Sequence, residues 1–355
     1  MSSGDSRIPW AAAVLLMLSL VGVTCSAEPG SEGSGPKLWG IKSTKQLLEA
    51  VGKIPSQGAT LRLSPGQYVI SKGIAFKGTN HINIIGSGWN TTIRMAGKGD
   101  ALTFEDCVFC TIRDLMVVGG SDAGSGIVFK GKHSSSNTVD FCRIAEFPVS
   151  GIRFEGSPES ALSSNTVGRC HFIGNLQDQL YSLNNNDFYI LQNQFGTHGK
   201  HPRTGVVLDH SSAGTYSMNY HWGNEVAFRM GPFSNFNRIE NNRFENSDRE
   251  GVILGVQDGQ LCYLNIFTGN TVHTNSESES GKYAAVTAFN ILDTTFTSNQ
   301  IFSWDSATTR HSSSLVIGPG CRNWIVKDNI FRHNTGKPIV FEENAGHIVK
   351  DNMMD

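Results

Sequence analysis

Apolar residues along this chain come in short pulses, and the pulses recur. A phrase of the form aliphatic-x-x-(Asn or Cys)-x-apolar reads Val139, Cys142, Ile144; then Val167, Cys170, Phe172; Ile190, Asn193, Phe195; and Ile239, Asn242, Phe244. It continues through Phe267, Asn270, Val272 and Phe296, Asn299, Ile301 to Val326, Asn329, Phe331 and Val349, Asn352, Met354. Ile112, Leu115 and Val117 form an early apolar version, and Tyr216, Asn219 and His221 a degenerate one. Successive copies lie about 26 residues apart. Between them stands a second phrase, a small residue followed by apolar-x-apolar, as at Gly126, Gly151, Gly205 and Gly251.

Both phrases are short, rich in β-branched and aromatic residues and separated by Asn and Gly, so they predict strands and turns. Two or three such strands in each repeat predict an all-β solenoid: a right-handed, single-stranded parallel β-helix of roughly 11–12 coils. Asn at one phase predicts a side-chain ladder inside a turn, with left-handed backbone angles tolerated there. Cys142 and Cys170 share that phase and predict a short buried stack, reduced or bonded. Ahead of the coils, 43–54 carries a capping box at Ser43 and Gln46 and an apolar stripe of Leu47, Leu48, Val51 and Ile54. A helix here would cover the open end of the solenoid. No equivalent cap follows the last phrase, and oligomerisation through that end is one way of covering it.

The N-terminal segment 1–27 reads as an export signal, with Arg7, an apolar run over 11–23 and the small residues Cys25, Ser26 and Ala27. The run is shorter than the ~20 residues of a membrane span. Acylation at Cys25 fits less well, because Gly22, Val23 and Thr24 precede it. Residues 28–36 read as a flexible linker and 37–355 as the β-helix domain, secreted or periplasmic. Seventeen per cent of the 355 residues are charged and the net charge is −2, which gives no reason to expect nucleic acid as a partner. Cys107 and Cys110 form a lone C-x-x-C, too little for a zinc site.

These features resemble the pectin-lyase-like superfamily over nearly the whole mature chain, with 61–68 (LRLSPGQY) and 82–88 similar to the way those chains start their first coils. The resemblance implies carbohydrate-active enzymes of extracellular polysaccharides, mostly lyases and glycoside hydrolases; fold alone does not fix the reaction. Residues 225–255 are also similar to the central coils of polysaccharide lyase family six, which implies a calcium-binding acidic pair, a Lys base and an Arg-His-Gly. Glu250 matches the first acid, but Val252 stands at the second, Gln257 at the Lys, and no Arg-His-Gly follows. That mechanism is therefore not carried over.

In a parallel β-helix, equivalent residues of successive coils stack about 4.8 Å apart, so columns matter more than linear motifs. One outward column is expected to run Arg143, His171, Gln194, Tyr220, Arg243, and another Lys130, Glu155, Asn184, Asp209, Arg229, Gly255. Both centre on 140–250, where a groove is expected; a solvated face with charges pairing between coils is the competing reading. Longer connections, such as 197–204 with His198, His201 and Arg203, and 304–311, add binding loops. His221 stands where the phrase demands an apolar core residue, and a pattern broken by a polar group tends to mark function; a satisfied buried histidine is the alternative.

Two chemistries fit. β-Elimination from a uronate needs the substrate carboxylate neutralised, by Arg229, Arg243 or a cation on Asp209 or Glu250, and a base such as His221 or Tyr220. Hydrolysis needs two carboxylates, about 6.5–9.5 Å apart for inversion; Glu155 and Asp209, two coils apart, would stand roughly 9.6 Å apart. Asp209 with Glu225 or Glu250 is a second pair. The expected catalytic set is Asp209, His221, Arg229 and Glu250, with His171, Arg203, Tyr220, Trp222 and Arg243 binding substrate. The pattern fixes no cofactor and no metal site, and calcium is the candidate metal. The basic ladder favours an anionic polysaccharide or oligosaccharide cleaved by elimination. A glycoside hydrolase or transglycosidase, and a non-catalytic glycan-binding or surface protein, are the alternatives.

Overall fold

The computed structural model describes residues 37–304 and 311–355, so the signal and linker expected at 1–36, and most of the loop at 304–311, lie outside the described residues. The described chain winds into a right-handed parallel β-helix of about 12 turns. Each coil contributes to three parallel sheets, which hold 13, 12 and 11 strands among the described residues. A typical coil passes through Thr138–Asp140 in the first sheet, Arg143–Ala145 in the second and Ser150–Glu155 in the third. A helix at Thr44–Val51 packs at the N-terminal end; the Ser43 side chain accepts from the Gln46 amide and Leu47 is buried. No described helix is long and apolar enough to cross a membrane.

The corner between the first and second sheets shows how the recurrent Asn works. Asn193, Asn219, Asn242, Asn270, Asn299 and Asn329 are buried, and each Oδ1 accepts from the backbone N–H and side-chain amide of the preceding coil's Asn or from that coil's backbone. The left-handed residue of this corner is not the Asn but the one before it: Phe141, Arg169, Gln192, Met218 and Asn241 all have φ between 51° and 59°. The side-chain amide, not backbone tolerance, is what selects Asn. Cys142 and Cys170 hold the same corner as buried free thiols, and Cys107 and Cys110 are buried against the next corner.

Inside the coils, rings stack along the axis: Phe76, Phe104, Phe129 and Phe154 with centroids 5.0–5.3 Å apart, and Phe172, Phe195, His221 and Phe244 at 4.7–5.0 Å. His221 therefore occupies a phenylalanine position of a core column, fully buried. Tyr216, the other irregular residue of that copy, is also buried, and its hydroxyl is hydrogen-bonded to His221 Nε2. Gly205 on the neighbouring strand makes room, since a Cβ there would stand 2.6 Å from His221 Nδ1. The two departures from the apolar pattern answer each other inside the core.

This pair gives the fold an acid sensitivity. Burial pushes the His221 pKa down to about 3 and that of His311 to about 4. Above about pH 7.5 both imidazoles are neutral whether folded or unfolded and add no slope. As pH falls below 6.5 the unfolded state takes up protons that the folded state refuses, at up to about 1.4 kcal/mol per pH unit and per histidine. Urea unfolding at pH 7 and pH 4.5 should show stability lost on acidification. Tyr216→Phe/His221→Phe should remove the part due to His221; an unchanged pH slope in the double variant would refute the assignment.

Candidate functional site

The middle of the third sheet presents a groove to solvent. Its floor is made by the consecutive strands Asp178–Leu183, Thr204–Asp209, Val226–Met230 and Val252–Leu254. Two adjoining cavities of about 240 and 510 Å³ share Arg203, Thr204, Arg229 and Val256. Tyr181 and Asp209 line the smaller one, and Glu225, Arg249 and Glu250 the larger.

Strand register sets which side chains meet here, and it corrects one expected column. Glu155 is level with Leu183 and Leu183 with Asp209, so Asn184 is not in that column. Gly231 stands over Asp209, its own Cβ site 2.8 Å from the Asp209 carboxylate. Arg229 belongs to the neighbouring outward column, Arg153, Tyr181, Val207, Arg229, Ile253. The misreading arose because Phe228 and Met230 both point inward, which makes Arg229 a mid-strand residue rather than the one that ends the phrase. The corrected register brings Arg229 and Asp209 to the same cavity.

Around that cavity the charges are unevenly matched. Arg203 is anchored through one terminal nitrogen to both oxygens of buried Asp178, at 2.9 and 3.1 Å. Burial raises the Asp178 pKa and Arg203 opposes the rise. Asp209 accepts from the Tyr181 hydroxyl at 3.3 Å and pairs with His210 Nδ1 at 2.8 Å. Burial, reinforced by Asp209, pushes the Tyr181 phenol above its ordinary value and keeps it protonated at neutral pH. The Arg153 guanidinium lies over the Tyr181 ring and holds Glu155 at 2.6 Å. Glu250 is largely buried and touches Arg249 at 3.4 Å without a hydrogen bond, while Arg249 also reaches Glu225 at 3.4 Å. Arg229 is exposed and forms no ion pair among the described residues, which leaves it the groove's unmatched cation.

Of the expected catalytic residues, then, Asp209, Arg229 and Glu250 converge and Arg203 joins them. His221 does not: the inward phase of its strand buries it in the ring stack, and substrate cannot touch it. His171, Tyr220, Trp222 and Arg243 lie on the second sheet and line neither cavity. The column Arg143, His171, Gln194, Tyr220, Arg243 is in register as expected, but on a different face from the groove. The Glu155 and Asp209 pair is weakened because Arg153 already neutralises Glu155.

Sequence reasoning missed Tyr181 and Asp178. Their strand lacks the small residue that opens the second phrase elsewhere, because Gln179 stands there. Its side chain is buried and spends its hydrogen bonds on Gly196 O and the Asn175 amide. Aligning 178–183 with 150–155 and 204–209 by their alternating apolar residues would have found both.

A solenoid of stacked three-sheet coils with a polar groove defines the class as a right-handed parallel β-helix. Within that class the chain belongs to the family described as periplasmic copper-binding protein (NosD), which it matches over residues 55–303. No curated protein matches it. Among solved structures it is similar to the Dettilon tailspike protein, with TM-score 0.63, 12% identity, and 88% of this chain covered; it spans 64% of that chain's length. It is similar also to the periplasmic alginate epimerase AlgG, with TM-score 0.63, 13% identity, and coverage of 89% of this chain and 84% of that one. The A-module of mannuronan C-5 epimerase AlgE4 of Azotobacter vinelandii gives TM-score 0.57, 14% identity, and coverage of 87% and 100%. At these identities the likeness is one of fold.

The family's name raises copper, and the residues present do not fit it. Copper sites draw on clustered thiolate, thioether or imidazole donors. Among the described residues no three His, Cys, Asp or Glu side chains come together as a metal set. The same holds for calcium at Glu250, whose charged neighbour is Arg249.

Proposed function

We propose that this chain is an exported enzyme that abstracts a proton from a uronate residue of an acidic polysaccharide, in the groove on the third sheet. The observation that carries the reading is Arg229, a cation with no ion-pair partner among the described residues, beside the Tyr181 and Asp209 pair. Abstraction next to a carboxylate builds charge on that carboxylate, and an unpaired guanidinium stabilises it more as the charge grows. Asp209 is the group that receives the C5 proton. Tyr181, kept protonated by burial, delivers one. Protonating the glycosidic oxygen at C4 while the C4–O bond breaks gives the unsaturated product of a lyase, with base and acid on one side of the sugar as Asp209 and Tyr181 are; an epimerised sugar needs a proton returned to C5 from the other face, by water. Both share the first step. The similar mannuronan C-5 epimerase module and periplasmic alginate epimerase agree with an acidic substrate.

A hydrolytic reading keeps one support: Asp209 and Glu250 face the same groove, and one Glu250 oxygen is buried without a hydrogen bond. Alginate, polygalacturonate, glycosaminoglycans and neutral glucans separate the readings. Absorbance near 232 nm, or a changed uronate ratio by proton NMR, is the expected result on an acidic polymer. Reducing ends without either would favour the carboxylate pair. Tyr181→Phe should lower turnover about 10²-fold or more, with KM little changed; a Tyr181→Phe enzyme as fast as the parent would remove Tyr181 from the mechanism.

A further inference from the structure

The second sheet carries a surface that the groove chemistry leaves unused. Its outward column sets Arg143, His171, Tyr220 and Arg243 on successive coils, with Gln194 between. Two indoles complete it. Trp89, from an early corner, reaches along the coils until its ring meets His171 edge-on at 4.9 Å and lies 5.6 Å from the Arg143 guanidinium. Trp222 lies flat on the backbone of Gly196, so closely that a Cβ there would stand 2.2 Å from the ring. Tyr220 is 5.0 Å from Trp222, and Arg243 lies over the Tyr220 ring at 5.1 Å.

The charges of this strip do not cancel. Arg143 forms no ion pair among the described residues, and its Nε is buried without a hydrogen-bond partner. Glu245, on the Arg243 strand at the end of the strip, is already held by Arg243 at 2.5 Å, His273 at 2.7 Å and the Tyr220 hydroxyl. Glu146 lies at the edge, 4.0 Å from Arg94. What remains toward solvent at the Arg143 end is aromatic surface and positive charge, while Glu277, near Asp248 and Glu245, borders the Arg243 end. Aromatic rings offer flat apolar faces to the C–H faces of pyranoses, and guanidinium groups match carboxylates or sulfates in two-pronged fashion. The coil repeat of about 4.8 Å sets these groups at a spacing close to one sugar in an extended chain.

We propose that this strip, Trp89, Arg143, His171, Tyr220, Trp222 and Arg243, is a second binding site that holds an acidic polysaccharide chain along the helix axis, apart from the groove. The proposal stands whether or not the groove performs the chemistry assigned to it. Native electrophoresis in gels containing alginate, polygalacturonate or neutral hydroxyethylcellulose tests it. The protein should be retarded by at least one acidic polymer at low salt and not by the neutral one, and the retardation should fade at high salt. Trp89→Ala and Arg143→Ala should each weaken retardation about tenfold while keeping the parent's thermal midpoint and its turnover of short oligosaccharides. Arg229→Ala should keep full retardation. The site is overturned if neither acidic polymer slows the parent, if both strip variants migrate like it, or if Arg229→Ala alone releases the polymer. Loss of turnover in Arg229→Ala with retardation intact supports both readings; retardation without turnover in the parent sinks only the groove.

Discussion

Arg229→Ala is expected to lower kcat/KM on an acidic polysaccharide by about 10²–10³-fold, or roughly 3–4 kcal/mol of transition-state stabilisation, the range found when one preorganised donor to a developing anion is removed. The surroundings of Arg229 set the size of the loss. Arg203 is tied to Asp178 and Arg249 to two glutamates, so neither is free to follow charge as it develops on substrate. Arg229 has no such partner among the described residues and shares a cavity with Tyr181 and Asp209. Arg229→Lys should recover part of the loss, because the charge is kept while the planar fork is not. Steady-state kinetics should show the loss mainly in kcat; a change confined to KM would make Arg229 a binding residue only.

The largest stability effect is expected at the ladder. Asn242 Oδ1 accepts from the Asn219 amide and backbone N–H, and its own amide donates to Tyr216 O and Asn270 Oδ1, at 2.9–3.1 Å. Asn242→Ala takes a hydrogen bond from three buried groups of the coil below, the Asn219 N–H, the Asn219 side-chain amide (which keeps Ile190 O) and the Tyr216 carbonyl, and a buried group left unpaired costs about 1–3 kcal/mol. A loss of about 3–5 kcal/mol is expected, and it should be visible in the thermal midpoint and in urea unfolding. Asn352, in the last coil and half-exposed, makes the control: Asn352→Ala should cost under about 1 kcal/mol, since water replaces its bonds. Equal losses at the two positions would mean that the ladder contributes little beyond local turn structure.

How much of this could be read from the sequence differs by level. The solenoid was legible because each coil repeats the same decisions: an apolar residue inward, Asn at one corner, a small residue before the next strand. The phase of the second-sheet column was legible for the same reason, since Asn or Cys pins it in every copy. The groove was less so. Its strands lie after loops of varying length, so register there depends on pairings that no short motif marks, and Arg229 was placed one column away. Tyr181 was hidden by Gln179, a core residue that breaks the opening of its phrase. His221 misled in the opposite direction. A polar residue in an apolar column does mark something unusual, but here a second one, Tyr216, partners its Nε2 in the core while Nδ1 stays without a hydrogen bond. Only three-dimensional pairing separates such a mutual repair from a functional break.

The central claim is that the groove on the third sheet removes the C5 proton of a uronate. Proton NMR of alginate and polygalacturonate incubated with the protein in deuterated water tests it most directly. The account predicts unsaturated ends, or deuterium entering at C5, with the parent protein and neither with Arg229→Ala. Release of reducing ends with C5 still fully protonated, or equal C5 exchange in the Arg229→Ala variant, would contradict it.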